Sequence, residues 1–163
     1  MFKISGASKF NKTEKAQIND LIQFTLDKFF SKRLQNVLEI DIIFSSTLLN
    51  RANVCGDCIW EDRHFKPREF TIRLDSTLIF SRILNTLAHE LVHVKQWAKG
   101  EMFELQRQSG YKFNNQVYNS EKISYWELPW EIEAHGRAVG IVNQWALARK
   151  FSGEICDKII YEG

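Results

Sequence analysis

Residues 77–98 read TLIFSRILNTLAHELVHVKQWA. Phe80, Ile83, Leu84, Leu87, Leu91, Val94 and Ala98 recur three or four apart, which predicts a helix over 77–98 with one apolar stripe, stopped at Gly100. Inside that stretch stand His89, Glu90 and His93, the pattern H-E-x-x-H. Four residues advance a helix by slightly more than one turn, so the two imidazoles leave from one face and can share a single ion. Zinc takes neutral imidazole nitrogens at about 2.0–2.1 Å and, in catalytic sites, keeps one of four positions for water. Glu90, next to the first imidazole, is the candidate general base toward that water.

Two imidazoles hold a metal loosely, so a third protein ligand is expected elsewhere. Residues 129–137, PWEIEAHGR, provide it on a second predicted helix running from Pro129 to Phe151. Proline suits the first helical position because its missing N–H costs nothing there, and Glu131 and Glu133 complement the positive helix end. Glu131 and His135 are spaced i, i+4 on one face, and Glu133 points elsewhere. Glu131 is the expected ligand. His135 is expected behind the ligands or as a group that steadies the transition state. Arg137, Tyr118 and Tyr125 are the other candidates for that last role. Gly136 and Gly140, one turn apart, are expected to let this helix approach the H-E-x-x-H helix closely.

Upstream, the apolar spacing over 11–34 predicts a first amphipathic helix, and Glu39 to Leu49 and Phe70 to Leu74 read as strands. The irregular stretch 51–70, RANVCGDCIWEDRHFKPREF, suggests an edge strand through Val54, Cys58 and Trp60 with a bulge at Gly56 and Asp57. Residues 101–125 are polar with scattered aromatics, and YKFNNQVY is a possible hairpin. The expected fold class is α+β: an N-terminal helix, a small mixed sheet, the H-E-x-x-H helix and a C-terminal helix carrying the third ligand. At 163 residues one domain spanning 1–163 is expected.

The residues HELVHVKQW and, far downstream, YWELPWEIEAHGR resemble the zincin superfamily, in particular its glutamate-ligand branch, the gluzincins. They are also similar to phage-encoded SprT-like putative metallopeptidases over roughly residues 39–145. The resemblance implies hydrolysis of peptide bonds with Zn2+ held by His89, His93 and Glu131. It further implies that Glu90 takes the proton of the attacking water and returns it to the leaving amine. His135 departs from the gluzincin pattern, where Asp or Asn often follows the ligand Glu, and raises a rival all-histidine ligand set of His89, His93 and His135. The family also implies that substrate lies along an edge strand, here residues 53–62. Two alternatives share the motifs: a non-catalytic zinc-binding regulatory or interaction module, and a partner-specific protease resembling ImmA/IrrE.

Hydrophobic residues make up 44% and charged residues 26%, near the averages of folded proteins. A net charge of +2 from 22 basic and 20 acidic residues leaves no polybasic tract, so nucleic-acid binding is unsupported. No leader or membrane-spanning run is read, and a cytoplasmic monomer acting on a peptide or protein is expected, in the host cytoplasm if phage-encoded. Three cysteines, Cys55, Cys58 and Cys156, agree with a reducing compartment. The pair Cys55/Cys58 reads as packing thiols, because only Cys156 and His64 remain to complete a four-ligand site. Trp97, Trp126, Trp130 and Trp145 read mainly as core, and Lys95 and Gln96 as solvated or rim groups.

Overall fold

In EFTIRLD and EIDIIFS every second residue is apolar, and in the computed structural model each run is a strand with that set facing inward. The structure describes residues 1–62, 64–105 and 110–151. Among them the order is β1 (Phe2–Ser5), α1 (Lys12–Phe29), α2 (Lys32–Gln35), β2 (Glu39–Ser45), α3 (Leu48–Ala52), β3 (Gly56–Trp60), β4 (Glu69–Asp75), α4 (Phe80–Ala98), β5 (Met102–Glu104), β6 (Tyr111–Phe113), β7 (Gln116–Tyr118) and α5 (Pro129–Ala148). The main sheet runs β1-β2-β4-β3, with β1, β2 and β4 parallel and β3 antiparallel at the edge. Ile40, Ile42, Phe44, Phe70, Ile72 and Leu74 bury one sheet face in a core completed by α1, α4 and α5. The fold is α+β with a small mixed sheet. Among the described residues no helix is long and apolar enough to cross a membrane.

The first helix is shorter than the apolar spacing suggests. Asn11 and Glu14 form a reciprocal capping box at its start. Phe30 then turns extended, and Ser31 caps the separate turn α2. The N-terminal residues, for which the sequence suggests no element, form β1, parallel to β2 from Phe2↔Ile40 to Ser5↔Ile43. Four residues are too few to display a period, so pairing with β2 makes this strand. YKFNNQVY is the hairpin β6–β7, with Asn114 and Asn115 both at positive φ in its two-residue turn.

The expected bulge at Gly56–Asp57 is not formed. The β3–β4 register is unbroken from Gly56↔Leu74 to Trp60↔Phe70. Glycine stands there because a Cβ would meet Thr86 Cγ2 of α4 at 2.7 Å, Leu74 Cδ2 at 3.0 Å and the Arg73 carbonyl at 3.1 Å. Gly56→Ala must push the edge strand off α4. We expect a loss of about 1–3 kcal/mol in chemical denaturation, the usual range for overpacking. Unchanged stability would show that β3 moves freely against α4.

The closeness of α4 and α5 also has a different cause from the one expected. A Cβ at Gly136 or Gly140 would meet nothing within 4 Å. The buried stripe of α5 is Ala134, Ala138, Ile141, Val142 and Trp145. Residues 136 and 140 lie two positions, roughly 200°, away from 134 and 138, on the opposite side of the helix. Small side chains do permit the approach, and they are the alanines.

Candidate metal centre

Helix α4 is surrounded by apolar neighbours along most of its length, with Ile83, Leu84, Leu87, Ala88, Leu91, Val92, Val94 and Ala98 all buried. Its start, at Phe80 and not Thr77, follows a turn in which Asp75 Oδ1 accepts from the Thr77 N–H at 2.8 Å. Its end is a Schellman motif, in which Gly100 (φ +71°) donates to Trp97 O at 2.9 Å and Glu101 to Gln96 O at 2.8 Å. His89, His93 and Trp97 therefore form one i, i+4, i+8 stripe. That stripe floors a cleft of about 1350 Å³, which the edge strand β3 and the start of α5 also line.

In this cleft His89 Nε2 and His93 Nε2 stand 3.0 Å apart. Glu131 Oε2, in the first turn of α5, lies 3.3 Å from the first and 3.6 Å from the second. Metal–ligand bonds of about 2.0–2.1 Å in a tetrahedron put ligand atoms about 3.3 Å apart, the scale of all three edges. Glu131 Oε2 is enclosed without a hydrogen-bond partner, as is His89 Nδ1. A buried carboxylate oxygen facing two imidazole nitrogens is a donor set for a divalent cation of zinc's type.

His135 follows one turn after Glu131. His89, Glu131 and His135 each offer a ligand atom, and these atoms lie within 4.8 Å of one another. The trio with His93 is tighter, with edges of 3.0, 3.3 and 3.6 Å, and could hold one ion with His135 beside it. The His135 ring sits 4.3 Å from that of His89 and 4.9 Å from that of Trp126, and Tyr125 Oη is 3.4 Å from its Nε2. The structure thus brings His89, Glu90, His93, Glu131 and His135 to one place. Of the other expected transition-state partners, only Tyr125 reaches it. Arg137 Nε donates to Glu133 Oε1 at 2.6 Å, and Tyr118 Oη to Gln116 Oε1 at 2.6 Å.

The charges are mutually dependent. Burial alone would raise the Glu131 carboxyl, but His89, His93 and Tyr125 hold it well below the usual carboxylate range. Burial opposes charge on His93, yet Glu131 and Glu90 outweigh it and raise the imidazole to about 9. Burial lowers His89 and His135. Glu90, 5% exposed, is pushed up to about 8 by burial, against the opposing pull of His93.

Lys95 and Gln96 are not solvated: they are 7% and 0% exposed and hydrogen-bonded across to α5. The packing of α4 against the sheet, α1 and α5 encloses both, and a polar group so enclosed must find partners. Trp145 is core, with its Nε1 donating to Asp20 Oδ2 at 2.8 Å, and Trp130 is buried in a second cluster with Met102, Phe113 and Leu128. Trp126, however, is 69% exposed at the cleft mouth, and Trp97 is half-buried in its wall. Burial, with Glu90 and Asp57 nearby, raises the Cys58 thiol, the behaviour of an unreactive packing group. His64 is exposed, Cys156 lies outside the described residues, and among the described residues the cysteines join no metal-capable group.

Comparison with models of known protein families, with curated proteins and with solved structures finds no match.

Proposed function

We propose that the chain is a zinc-dependent metallopeptidase of zincin type, with His89, His93 and Glu131 holding the ion and Glu90 as general base. The observation that carries this reading is the triangle of two Nε2 atoms and one Oε2, drawn from two helices distant in sequence, beside a buried glutamate in an open cleft. A Zn2+ ion there would supply Lewis acidity, polarising a carbonyl and making water easier to deprotonate. Glu90 is placed one residue from the first ligand, in a pocket dry enough to raise its proton affinity toward that of a base useful near neutral pH. Tyr125 Oη and His135 offer hydrogen bonds for the oxygen of the attacked carbonyl.

The substrate we propose is an extended peptide or protein segment in the cytoplasm. The cleft follows α4 from Arg82 and Asn85 past the histidines to Trp97, with the free edge of β3 as one wall. Its Trp97, Met102, Tyr111, Leu128 and Trp130 give one end an apolar, aromatic lining. A narrower reading, a peptidase for one protein partner, is favoured by the rim, where Ile79, Trp126 and Val139 are exposed. Zinc content and cleavage of an unfolded polypeptide mixture test the proposal together. One equivalent of zinc with chelator-sensitive cleavage is expected; protein that takes up no zinc overturns it.

Proton linkage provides an independent check. His93 has a folded value of about 9, above its ordinary 6.5, so its stabilising charge is fully present below pH 6.5 and lost as pH rises through 9. Glu90, raised from 4.5 to about 8, acts in the same sense, because the folded state holds its proton more tightly than the unfolded chain does. Chelator-treated protein should therefore lose thermal stability between pH 6.5 and 9. Zinc competes with the His93 proton, so its affinity should rise roughly tenfold per pH unit up to about pH 9. Calorimetry in buffers of different ionisation enthalpy reads the released proton directly. A pH-independent zinc affinity would remove His93 from the ligand set.

A further inference from the structure

The polar residues that follow the histidine motif form a buried relay with no part in the chemistry described so far. His93 Nδ1 is 2.8 Å from Gln96 Oε1. The Gln96 amide nitrogen donates to Trp130 O at 2.9 Å and to Glu133 Oε2 at 3.0 Å. Glu133 Oε1 in turn accepts from Lys95 Nζ and Arg137 Nε, each at 2.6 Å, and Lys95 also pairs with Glu101 Oε2 at 2.6 Å. Glu101 is held at the end of α4 by the Schellman bond to Gln96 O.

This network admits one orientation of the amide. Trp130 O and Glu133 Oε2 are both acceptors, so the NH2 of Gln96 must face them. A flipped amide would set its carbonyl against two oxygens in a fully buried site. Oε1 must therefore face His93, and His93 Nδ1 must be the donor. The imidazole is left with Nε2 as the nitrogen that can be bare, and Nε2 is the atom facing His89 and Glu131. His89 has no comparable partner, since its Nδ1 is enclosed and unbonded.

From this relay we infer that Gln96 is a positioning residue for the metal centre, oriented by Glu133. Its carboxamide fixes the tautomer of His93 and, by gripping the carbonyl of Trp130, sets the height of α5 at the residue before Glu131. One side chain thus aligns a ligand on each helix. The second acid of W-E-I-E-A serves this pin, and Lys95 and Arg137 keep it ionised and aimed. The inference rests on the proposed metal-binding role of His93 and Glu131, but not on hydrolysis.

The test combines zinc affinity by chelator competition with 15N NMR of the histidine side chains. In zinc-loaded wild type, His93 should show a protonated Nδ1 and a metal-bound Nε2. Gln96→Met, of similar volume, should bind zinc 10–100-fold more weakly and lose the protected Nδ1 proton signal. Glu133→Gln retains the Trp130 bond and should give a smaller loss. The pair Gln96→Glu with Glu133→Gln keeps an acceptor for His93 Nδ1 but sets a carboxylate oxygen against Trp130 O, so it should keep the protected Nδ1 proton signal and still bind zinc more weakly than wild type, a split that a purely packing role for Gln96 does not predict. Metal bound through Nδ1 of His93 in wild type would overturn the inference without any variant. So would a folded Gln96→Met protein with unchanged zinc affinity. Wild type that binds no zinc would strike instead at the underlying reading.

Discussion

Glu90→Gln is expected to reduce peptide hydrolysis by about 10³-fold or more, with zinc stoichiometry unchanged. Glutamine keeps the volume of the side chain and its hydrogen bonding but cannot accept a proton from water, and a positioned base contributes on the order of 10²–10⁴ in rate. At about 1.4 kcal/mol per factor of ten, this amounts to roughly 3–5 kcal/mol of barrier. Stability should move the other way. Above pH 8 the wild-type protein must hold an ionised carboxylate in a site that raises its proton affinity, and the neutral amide escapes that cost. The variant should thus be more stable than wild type in alkaline, chelator-treated solution while being inactive with zinc. Activity within tenfold of wild type would exclude Glu90 as the base. Full biological effect without hydrolysis would favour a zinc-binding module with no catalytic role.

Glu131→Ala is expected to lose zinc affinity by several orders of magnitude and, with it, the stabilisation the ion confers. A ligand at 1,000 times its Kd adds about 4 kcal/mol to folding. For a chain of this length that corresponds to roughly 8–16 °C in Tm. Wild type should show a zinc-dependent rise of that order in differential scanning calorimetry, and the variant should show little or none. Removing Glu131 also removes a carboxylate that sustains the charge on His93, so the His93 value should fall. His135→Ala provides the contrast: it should keep the zinc-dependent rise and lose rate, because His135 sits beside Tyr125 and the His89 ring outside the tighter trio. The reverse outcome, with Glu131→Ala binding zinc normally and His135→Ala losing it, would establish the all-histidine ligand set.

Glu90 and Glu131 are legible in the sequence for a local reason. His89, Glu90 and His93 share a face by helical geometry alone, and Pro129 marks the start of α5 because proline lacks an N–H. The departure of Glu133 from the face shared by Glu131 and His135 and the hairpin at Asn114–Asn115 follow equally from spacing and turn chemistry within a few residues. The position of Gly136 and Gly140 is equally local, since the phase of Ala134, Ala138, Ile141 and Trp145 puts them on the far side of the helix. The burial of Lys95 and Gln96 is not local in this way: α4 carries one apolar stripe in its sequence, and only packing against the sheet, α1 and α5 encloses its other sides.

What the linear order determines about this protein is the set of side chains each helix presents and the phase in which it presents them, because 3.6 residues per turn is a property of a dozen neighbours. Tertiary structure decided the 3.3 and 3.6 Å approaches of Glu131 to the two imidazoles, the Gln96 bridge between helices, the pairing of β1 with β2, and which tryptophans stay dry. Each of these joins residues roughly 34 or more apart, or depends on how helices and sheets stack, and such contacts form only when the core closes.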